Sequence, residues 1–135
     1  MESEHFVGKV SLRAVIEKDG KILVSHSAGD PWEFPGGRLH KNEAPTDGIA
    51  REIKEELGAT FKPDGIFYTE QWMHVKTNTP QLFLFFRGSL SDEPRLVNPE
   101  EVGEFRWVSR GELKDLLMWD DCRRAADEFL RLIEK

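Results

Sequence analysis

Three glutamates stand close together in the segment GGRLHKNEAPTDGIAREIKEELGA, residues 36–59. In a helix each residue advances about 100°, so Glu55 and Glu56 lie about 60° and 40° to either side of Glu52. All three carboxylates then share one side of the helix. Hard divalent cations such as Mg²⁺ or Mn²⁺ bind oxygen ligands of this kind. The alternative is a solvated charged face, on which Arg51 pairs with Glu55 four residues later.

The glutamates need a helix that holds them at the edge of a cleft, and the pattern predicts one over residues 45–57. Pro45 suits the first helical position, and Gly58 is a typical stop. Ala44 is a poor cap, so the helix start carries little local stabilisation. An apolar stripe runs beside the carboxylates, formed by Ile49, Ile53 and Leu57. The helix can therefore rest on a sheet while its acidic side remains accessible.

The surrounding chain predicts a mixed sheet between helices. Lys9–Ile16 and Lys21–Ser27 read as a hairpin joined at Asp19-Gly20. Three further strands are predicted in IFYTEQWMHV, QLFLFFRGSL and EFRWV, the second of them central because it is apolar on both faces. A capping-box pattern at Ser109 opens a helix through about residue 117, and a last amphipathic helix covers about residues 121–133. This alternation predicts the α/β class.

Length and composition favour a single soluble domain. The 135 residues suffice for one ordinary domain, with 39% hydrophobic and 33% charged residues. The net charge of −6 argues against general binding to a nucleic-acid backbone. A lone cysteine, no secretory pattern at the start and no long apolar run predict a cytoplasmic protein without a membrane segment. A monomer and a homodimer both remain open.

The spacing of the acidic segment resembles the Nudix box of the Nudix hydrolases. Gly37 is followed after five residues by Glu43, and after seven more by the run REIKEELGA, residues 51–59. Ala59 is smaller than the usual aliphatic residue. WEFPGG before the box resembles the loop of MutT-like members. The resemblance implies a Nudix α/β/α sandwich over residues 1–135 that hydrolyses nucleoside diphosphates linked to another group with a divalent metal, Mg²⁺ or, as the alternative, Mn²⁺.

The resemblance also implies roles for individual residues. Glu52, Glu55 and Glu56 are the expected metal ligands, with the backbone carbonyl of Gly36. Glu52 doubles as the candidate general base, and Glu55 and Arg51 complete the catalytic set, Arg51 by orienting a glutamate. In many relatives a further ligand comes from a loop outside the box. Of the glutamates in that region, Glu100, Glu101 and Glu104, the choice is Glu101.

Supporting and substrate-binding residues follow in the same way. Gly37 is expected to permit a turn, Glu43 to tie the loop to the helix and Gly58 to end the helix. Aromatic residues beside the box can stack on a base and arginines in the strands can reach phosphates, which gives the candidate set Arg13, Trp32, Phe34 and Arg87.

The expected substrate is a small nucleotide, most simply a (deoxy)nucleoside triphosphate or a modified nucleotide, cleaved to the monophosphate and pyrophosphate. This rests on elimination. His74 stands where ADP-ribose-specific members carry a proline, and Tyr68 does not match the tyrosine of dinucleoside-polyphosphate members. Four alternatives remain: a nucleotide sensor without turnover, hydrolysis of ADP-ribose or a nucleotide sugar, hydrolysis of a non-nucleotide diphosphate, and processing of RNA ends.

Overall fold

The computed structural model describes residues 4–100 and 102–134. Within these ranges the chain forms six strands and three helices. In chain order they are β1 (Lys9–Lys18), β2 (Lys21–His26), β3 (Gly36–Arg38), α1 (Pro45–Leu57), β4 (Phe61–His74), β5 (Thr79–Leu90), β6 (Glu104–Ser109), α2 (Arg110–Asp115) and α3 (Asp120–Ile133).

The strands form a mixed sheet in the order β4-β5-β1-β2-β6. β1 and β5 are parallel, whereas the other neighbouring strands on this path are antiparallel. The predicted hairpin between β1 and β2 is confirmed, and Asp19 and Gly20 both have positive φ, as its tight turn requires. β3 pairs with the first half of β1, through Ser11, Leu12 and Arg13. The Gly-Gly segment is thereby fixed against the middle of the sheet.

Helices cover both faces of the sheet, so the predicted α/β/α sandwich is confirmed. α1 packs its apolar stripe of Ile49, Ile53 and Leu57 against the face of β1 that carries Leu12 and Ala14. The opposite face packs against α2 and α3, with Phe85, Cys122 and Phe129 in the larger core. Successive residues of a strand point to opposite faces, so each half of β1 serves both layers. No helix in the described ranges is long and apolar enough to cross a membrane.

The predicted helix boundaries are close to the observed ones. α1 begins at Pro45 and ends at Leu57; Ala44 provides no side-chain cap, and Gly58 adopts the left-handed conformation with φ of 62°. The capping box between Ser109 and Glu112 is present in full. α2 nevertheless ends at Asp115 rather than near residue 117, because Leu116 is already extended.

The strand predicted from residue 66 begins earlier, at Phe61. The added segment contains Pro63 and Gly65, which are uncommon in the interior of a strand. They are accommodated because β4 lies at the edge of the sheet, where a missing backbone donor is tolerated. The pairing with β5 shifts register between Pro63 and Gly65 and again between Ile66 and Tyr68. β4 thus brings its far end, from Glu70 to His74, alongside the beginning of β5.

Candidate active site at the acidic helix

The carboxylates of α1 differ sharply in their exposure. The side chain of Glu52 is 13% exposed, whereas that of Glu55 is 56% exposed. Glu56 is partly buried, and its Oε2 accepts a hydrogen bond from the backbone N–H of Gly36 at 3.3 Å. The helix therefore directs Glu52 and Glu56 toward the Gly-Gly strand and leaves Glu55 at the solvent side, a difference that the angular positions alone did not predict.

Arg51 organises the charged groups around it. Its guanidinium donates to Glu43 at 2.7 and 3.1 Å, to Glu52 at 2.8 Å and to Glu55 at 3.2 Å. It also donates to the backbone carbonyl of Arg38 at 3.0 Å. These hydrogen bonds, those with Glu43 first, raise the pKa of Arg51. Arg51 thus ties α1 to the loop before it and holds Glu52 in one orientation.

Glu43 is the anchor of this network. The Arg51 guanidinium, with the backbone N–H of His40, lowers the pKa of Glu43 from 4.5 to about 2. A lowered carboxyl pKa stabilises the fold at every pH above the unfolded value, and this contribution disappears as the pH falls through the folded value. The Glu43 contribution is therefore complete at neutral pH and is lost between about pH 4.5 and pH 2.

We expect Glu43→Gln to lower the melting temperature at pH 7, because Arg51 loses its charged partner. The gap in melting temperature between the two proteins should close as the pH is lowered from 4.5 toward 2. Thermal unfolding of both proteins across this range measures it. The other titratable groups are the same in both proteins, so their contributions cancel in the difference in melting temperature. A gap that stays constant to pH 2 would contradict the assigned role of Glu43.

The two glycines before the helix are required for different reasons. Gly36 has φ of 155°, and a Cβ there would lie 1.9 Å from the carbonyl oxygen of Leu12. Gly37 does not have a positive φ, so the expectation that it permits a turn is corrected. A Cβ on Gly37 would instead lie 2.2 Å from Oε2 of Glu52. Gly37 is needed because it gives the Glu52 carboxylate room to lie directly against the strand.

Glu56 is held in an environment that disfavours its charge. Burial raises the pKa of Glu56 to about 8; Arg13 opposes this shift and the neighbouring charge of Glu52 adds to it. Two carboxylates that repel each other beside the backbone of Gly36 form a set of hard oxygen donors. By donor type, this set fits a divalent cation.

The carboxylates are engaged by protein donors in this structure. Within residues 4–100 and 102–134 no three acidic, histidine or cysteine side chains converge closely enough to form a complete metal-ligand cluster. The reason is visible in the contacts: Arg51 holds Glu52 and Glu55, and Gly36 donates to Glu56. Glu101, the expected outside ligand, lies outside the described residues. The donors that could hold a cation are thus Glu52, Glu55, Glu56 and the Gly36 carbonyl.

A cavity of about 710 Å³ opens beside these carboxylates, and Gly37 forms part of its wall. The sheet contributes polar and aromatic side chains from three strands: Ser11, Arg13, Trp72, His74, Gln81 and Phe83. The start of α3 contributes the opposite side, with Trp119, Asp120, Asp121 and Arg124. Trp72 stacks on Phe83, with ring centroids 5.2 Å apart and an angle of 19° between the planes. The cavity is wide enough for a nucleotide-sized ligand.

Of the four residues expected to bind substrate, the cavity includes Arg13. Its guanidinium donates to the carbonyl of Phe34 at 3.0 Å and lies 3.3 Å from Glu33, while its Nε is buried without a hydrogen-bond partner. Phe34 is corrected: it has no exposed surface and belongs to the core, so it cannot stack on a ligand.

Trp32 and Arg87 lie elsewhere. Trp32 stacks on His26, with centroids 3.8 Å apart, and Arg106 covers its ring at 4.8 Å. It does not line the cavity described above. Arg87 lies over the ring of Phe129 at 5.3 Å, two residues beyond Phe85 on β5 and beside a separate small cavity. Neither residue lines the large cavity, and their expected contact with the substrate stays a prediction.

The aromatic residues that do line the cavity were missed. Trp72 and Trp119 are 37% and 46% exposed, which is unusual for tryptophan. Their sequence signal was weak. Trp72 and His74 are two residues apart and share one face of β4, and Gln81 and Phe83 share one face of β5 in the same way. That alternation could have indicated one shared face, but not that the start of α3 lies opposite it.

Comparison with known proteins agrees with this architecture. The model of the NUDIX domain matches residues 8–129. The RNA pyrophosphohydrolase of Halorhodospira halophila is 29% identical over 80% of this chain and 69% of its own length. The CTP pyrophosphohydrolase of Escherichia coli is 40% identical over 33% of this chain and 37% of its own length.

Solved structures show the same fold. The MutT protein of Methanosarcina mazei Go1 superposes with a TM-score of 0.80 at 24% identity, over 98% of this chain and 100% of the other. The sequence match extends over most of the chain and includes the acidic helix, the Gly-Gly strand and most of α3. The chain therefore belongs to the Nudix family and is a hydrolase of compounds that contain a nucleoside diphosphate, a class of enzymes that depends on a divalent metal ion.

Proposed function

We propose that this enzyme cleaves a (deoxy)nucleoside triphosphate or a modified nucleotide to the monophosphate and pyrophosphate. The observation that carries this proposal is the position of Gly37, which lines the cavity and lies in contact with the Glu52 carboxylate of the acidic helix. A nucleotide with its base in the cavity has its phosphates near this contact. The wall of the cavity holds two exposed tryptophans, Trp72 and Trp119, which suit the flat face of a base. The CTP pyrophosphohydrolase relative supports a nucleotide substrate.

The metal in this proposal is Mg²⁺, with Mn²⁺ as a substitute, held by Glu52, Glu55, Glu56 and the carbonyl of Gly36. When bound, such a cation neutralises charge on a diphosphate and lowers the pKa of a coordinated water. Glu101 remains the proposed further ligand. The side chain of Glu55 is half exposed and can rotate away from Arg51, so its binding to the cation costs little free energy.

The chain's own groups divide the remaining work. Glu52 accepts the proton of the attacking water as general base, and Arg51 holds it in place through the 2.8 Å hydrogen bond. Glu43 holds the Arg51 guanidinium in its orientation through two hydrogen bonds. Gly37 admits the Glu52 carboxylate to the edge of the cavity. Arg13 lies at the sheet side of the cavity, is partly exposed and has a buried Nε without a hydrogen-bond partner; we propose that it contacts the substrate.

A second candidate is the removal of pyrophosphate from RNA 5′ ends. The similarity to an RNA pyrophosphohydrolase favours it. The net charge of −6 opposes it, because an RNA backbone is bound chiefly by basic surfaces. We therefore propose a free nucleotide as the partner rather than a nucleic acid.

We further propose that residues 1–135 form one Nudix domain, as a monomer or homodimer in the cytoplasm. The single cysteine, Cys122, allows no internal disulfide, which fits a reducing compartment.

The proposal is tested by chromatographic separation of the products formed from a substrate panel with Mg²⁺ or Mn²⁺, because only the triphosphates release pyrophosphate and the other compounds yield two phosphorylated products. The panel contains common and oxidised nucleoside triphosphates, ADP-ribose, nucleotide sugars, dinucleoside polyphosphates and a 5′-triphosphorylated RNA. We expect turnover to be highest for one class of free nucleotide. Trp119→Ala should raise its KM about 5- to 100-fold, the effect of losing one stacked aromatic residue. Highest turnover on the RNA would favour the second candidate, and binding without turnover of any compound would indicate a sensor.

A further inference from the structure

Glu70 on β4 joins the sheet to the helix that covers the cavity. Its carboxylate accepts two hydrogen bonds from Arg124 of α3, at 2.7 and 2.8 Å, and one from the hydroxyl of Tyr68 at 2.7 Å. Only 12% of its side chain is exposed. Burial raises the pKa of Glu70, but hydrogen bonds from Arg124, Tyr68 and Trp72 outweigh it, and the pKa lies below its ordinary value. Glu70 is therefore a charged hub with several fixed partners.

Two of these partners line the cavity from different elements, β4 and α3. Trp72 belongs to β4 and lines the cavity through its ring. Arg124 lies one turn into α3 and also lines it, just after Trp119, Asp120 and Asp121. A bidentate carboxylate–guanidinium pair fixes both distance and orientation. The contact between Glu70 and Arg124 thus joins the start of α3 directly to the strand that carries Trp72.

The rest of α3 is attached differently. Its apolar residues Cys122, Ala126 and Phe129 pack in the larger core and fix the helix against the sheet. These contacts do not orient the exposed ring of Trp119, which precedes the helix. A backbone hydrogen bond ties Trp119 to Trp32, which lies outside β4. The contact of Arg124 with Glu70 is a side-chain contact that ties the helix start to β4 itself.

We propose that Glu70 is a positioning residue for the nucleobase: through Arg124 and Trp72 it sets the gap between β4 and the start of α3 in which the base is bound. This inference rests on the proposed function, because it takes the cavity as the base site. Glu70 touches neither the base nor the reacting phosphates. Its effect is therefore on nucleotide affinity and not on the chemical step at Glu52 and Glu56.

The test compares Glu70→Gln and Arg124→Gln with a matched control on the same helix. Glu128→Gln removes an exposed carboxylate that pairs with Arg131 of α3 at 3.0 Å, away from the cavity. For the best substrate of the panel, we expect Glu70→Gln and Arg124→Gln each to raise KM about tenfold, the loss of a hydrogen bond to a charged group, with kcat within about twofold. Glu128→Gln should leave both constants unchanged.

Tryptophan fluorescence provides a second readout that needs no turnover. Two of the four tryptophans, Trp72 and Trp119, line the cavity. AMP, GMP, CMP and UMP are titrated against each protein in EDTA, so that neither metal nor chemistry contributes. We expect at least one monophosphate to quench the wild type and Glu128→Gln with the same midpoint. The midpoint should move about tenfold higher in Glu70→Gln and Arg124→Gln.

The outcomes separate this inference from the proposed function. Unchanged KM and unchanged quenching in both variants would overturn it. A parallel fall in kcat and melting temperature without a change in the quenching midpoint would also overturn it, because it would indicate a structural role only. If the wild type hydrolyses nothing but the quenching midpoints shift as expected, the proposed function fails and the positioning role of Glu70 stands. Arg124 is half exposed, so its variant provides the measurement if Glu70→Gln does not fold.

Discussion

Replacing Glu56 with glutamine is expected to lower kcat/KM about 10³-fold without unfolding the protein. A metal that neutralises developing charge contributes several kcal/mol to the transition state, and about 4 kcal/mol corresponds to 10³ in rate. Glu56 is the carboxylate whose burial and proximity to Glu52 most disfavour its charge in the absence of a cation. Glutamine keeps the shape and the acceptor for the Gly36 N–H, but it supplies a neutral ligand.

Stability measurements distinguish this loss from misfolding. With a folded pKa of about 8, Glu56 must take up a proton when the metal-free protein folds at pH 7, whereas glutamine is neutral in both states, so the melting temperature of metal-free Glu56→Gln at pH 7 should not fall below that of the wild type. The same preparations are titrated calorimetrically with Mg²⁺, for which the variant should show weakened binding. Glu128→Gln serves as the control for removing one negative charge. Activity of Glu56→Gln within a few-fold of the wild type would contradict its place among the metal ligands.

The parts of the fold that depend on local signals were predictable. The bounds of α1 follow from Pro45 at its start, Gly58 after its end and the apolar stripe between them. The β1–β2 hairpin follows from the Asp19-Gly20 turn. β4 was not predicted in full, because whether Pro63 interrupts a strand depends on its position in the sheet. That position is set by β5, which lies later in the sequence.

The candidate site divides in the same way. The shared side of Glu52, Glu55 and Glu56 follows from helix geometry alone, since the residues lie within two turns. The cavity is assembled from β4, β5 and the start of α3, so no single stretch of sequence encodes it. Segments that are neighbours in space but distant in sequence give no joint signal. Each shows only its own alternation of side chains.

The aromatic residues show what local reasoning lacks. Trp32 and Phe34 were chosen because they stand beside the acidic segment, yet they pack against His26 and in the core, respectively. Glu33 between them points into the cavity instead. In an extended segment the side chains alternate, and the sequence does not say which set faces the ligand. Only the pairing of Glu33 with Ser25 decides this orientation.

Local sequence reasoning also gave the wrong reason for Gly37 in the Gly-Gly pair. The reason that the structure gives leads to a second large expected effect. Gly37→Ala is expected to lower kcat/KM about 10²-fold while changing the melting temperature little. The added Cβ would meet the Glu52 carboxylate, at 2.2 Å from Oε2, and no backbone atom comes as close. A carboxylate at the end of a flexible side chain can move aside. Its displacement removes the group assigned as general base, a contribution of about 10²- to 10⁴-fold.

Gly36→Ala is the matched comparison, because it adds the same methyl group one residue earlier. There the Cβ would lie 1.9 Å from the backbone oxygen of Leu12, at a φ of 155° that alanine rarely adopts. Neither obstacle can move aside, so the free energy of unfolding should fall by more than about 1 kcal/mol. Thermal unfolding and pyrophosphate release are measured on both variants. If Gly37→Ala destabilises the protein as much as Gly36→Ala, or keeps full activity, Gly37 does not serve to seat Glu52. The expected result is a stable Gly37→Ala with about 10²-fold lower activity. It would show that Gly36 is required by the backbone and Gly37 by the catalytic carboxylate of Glu52.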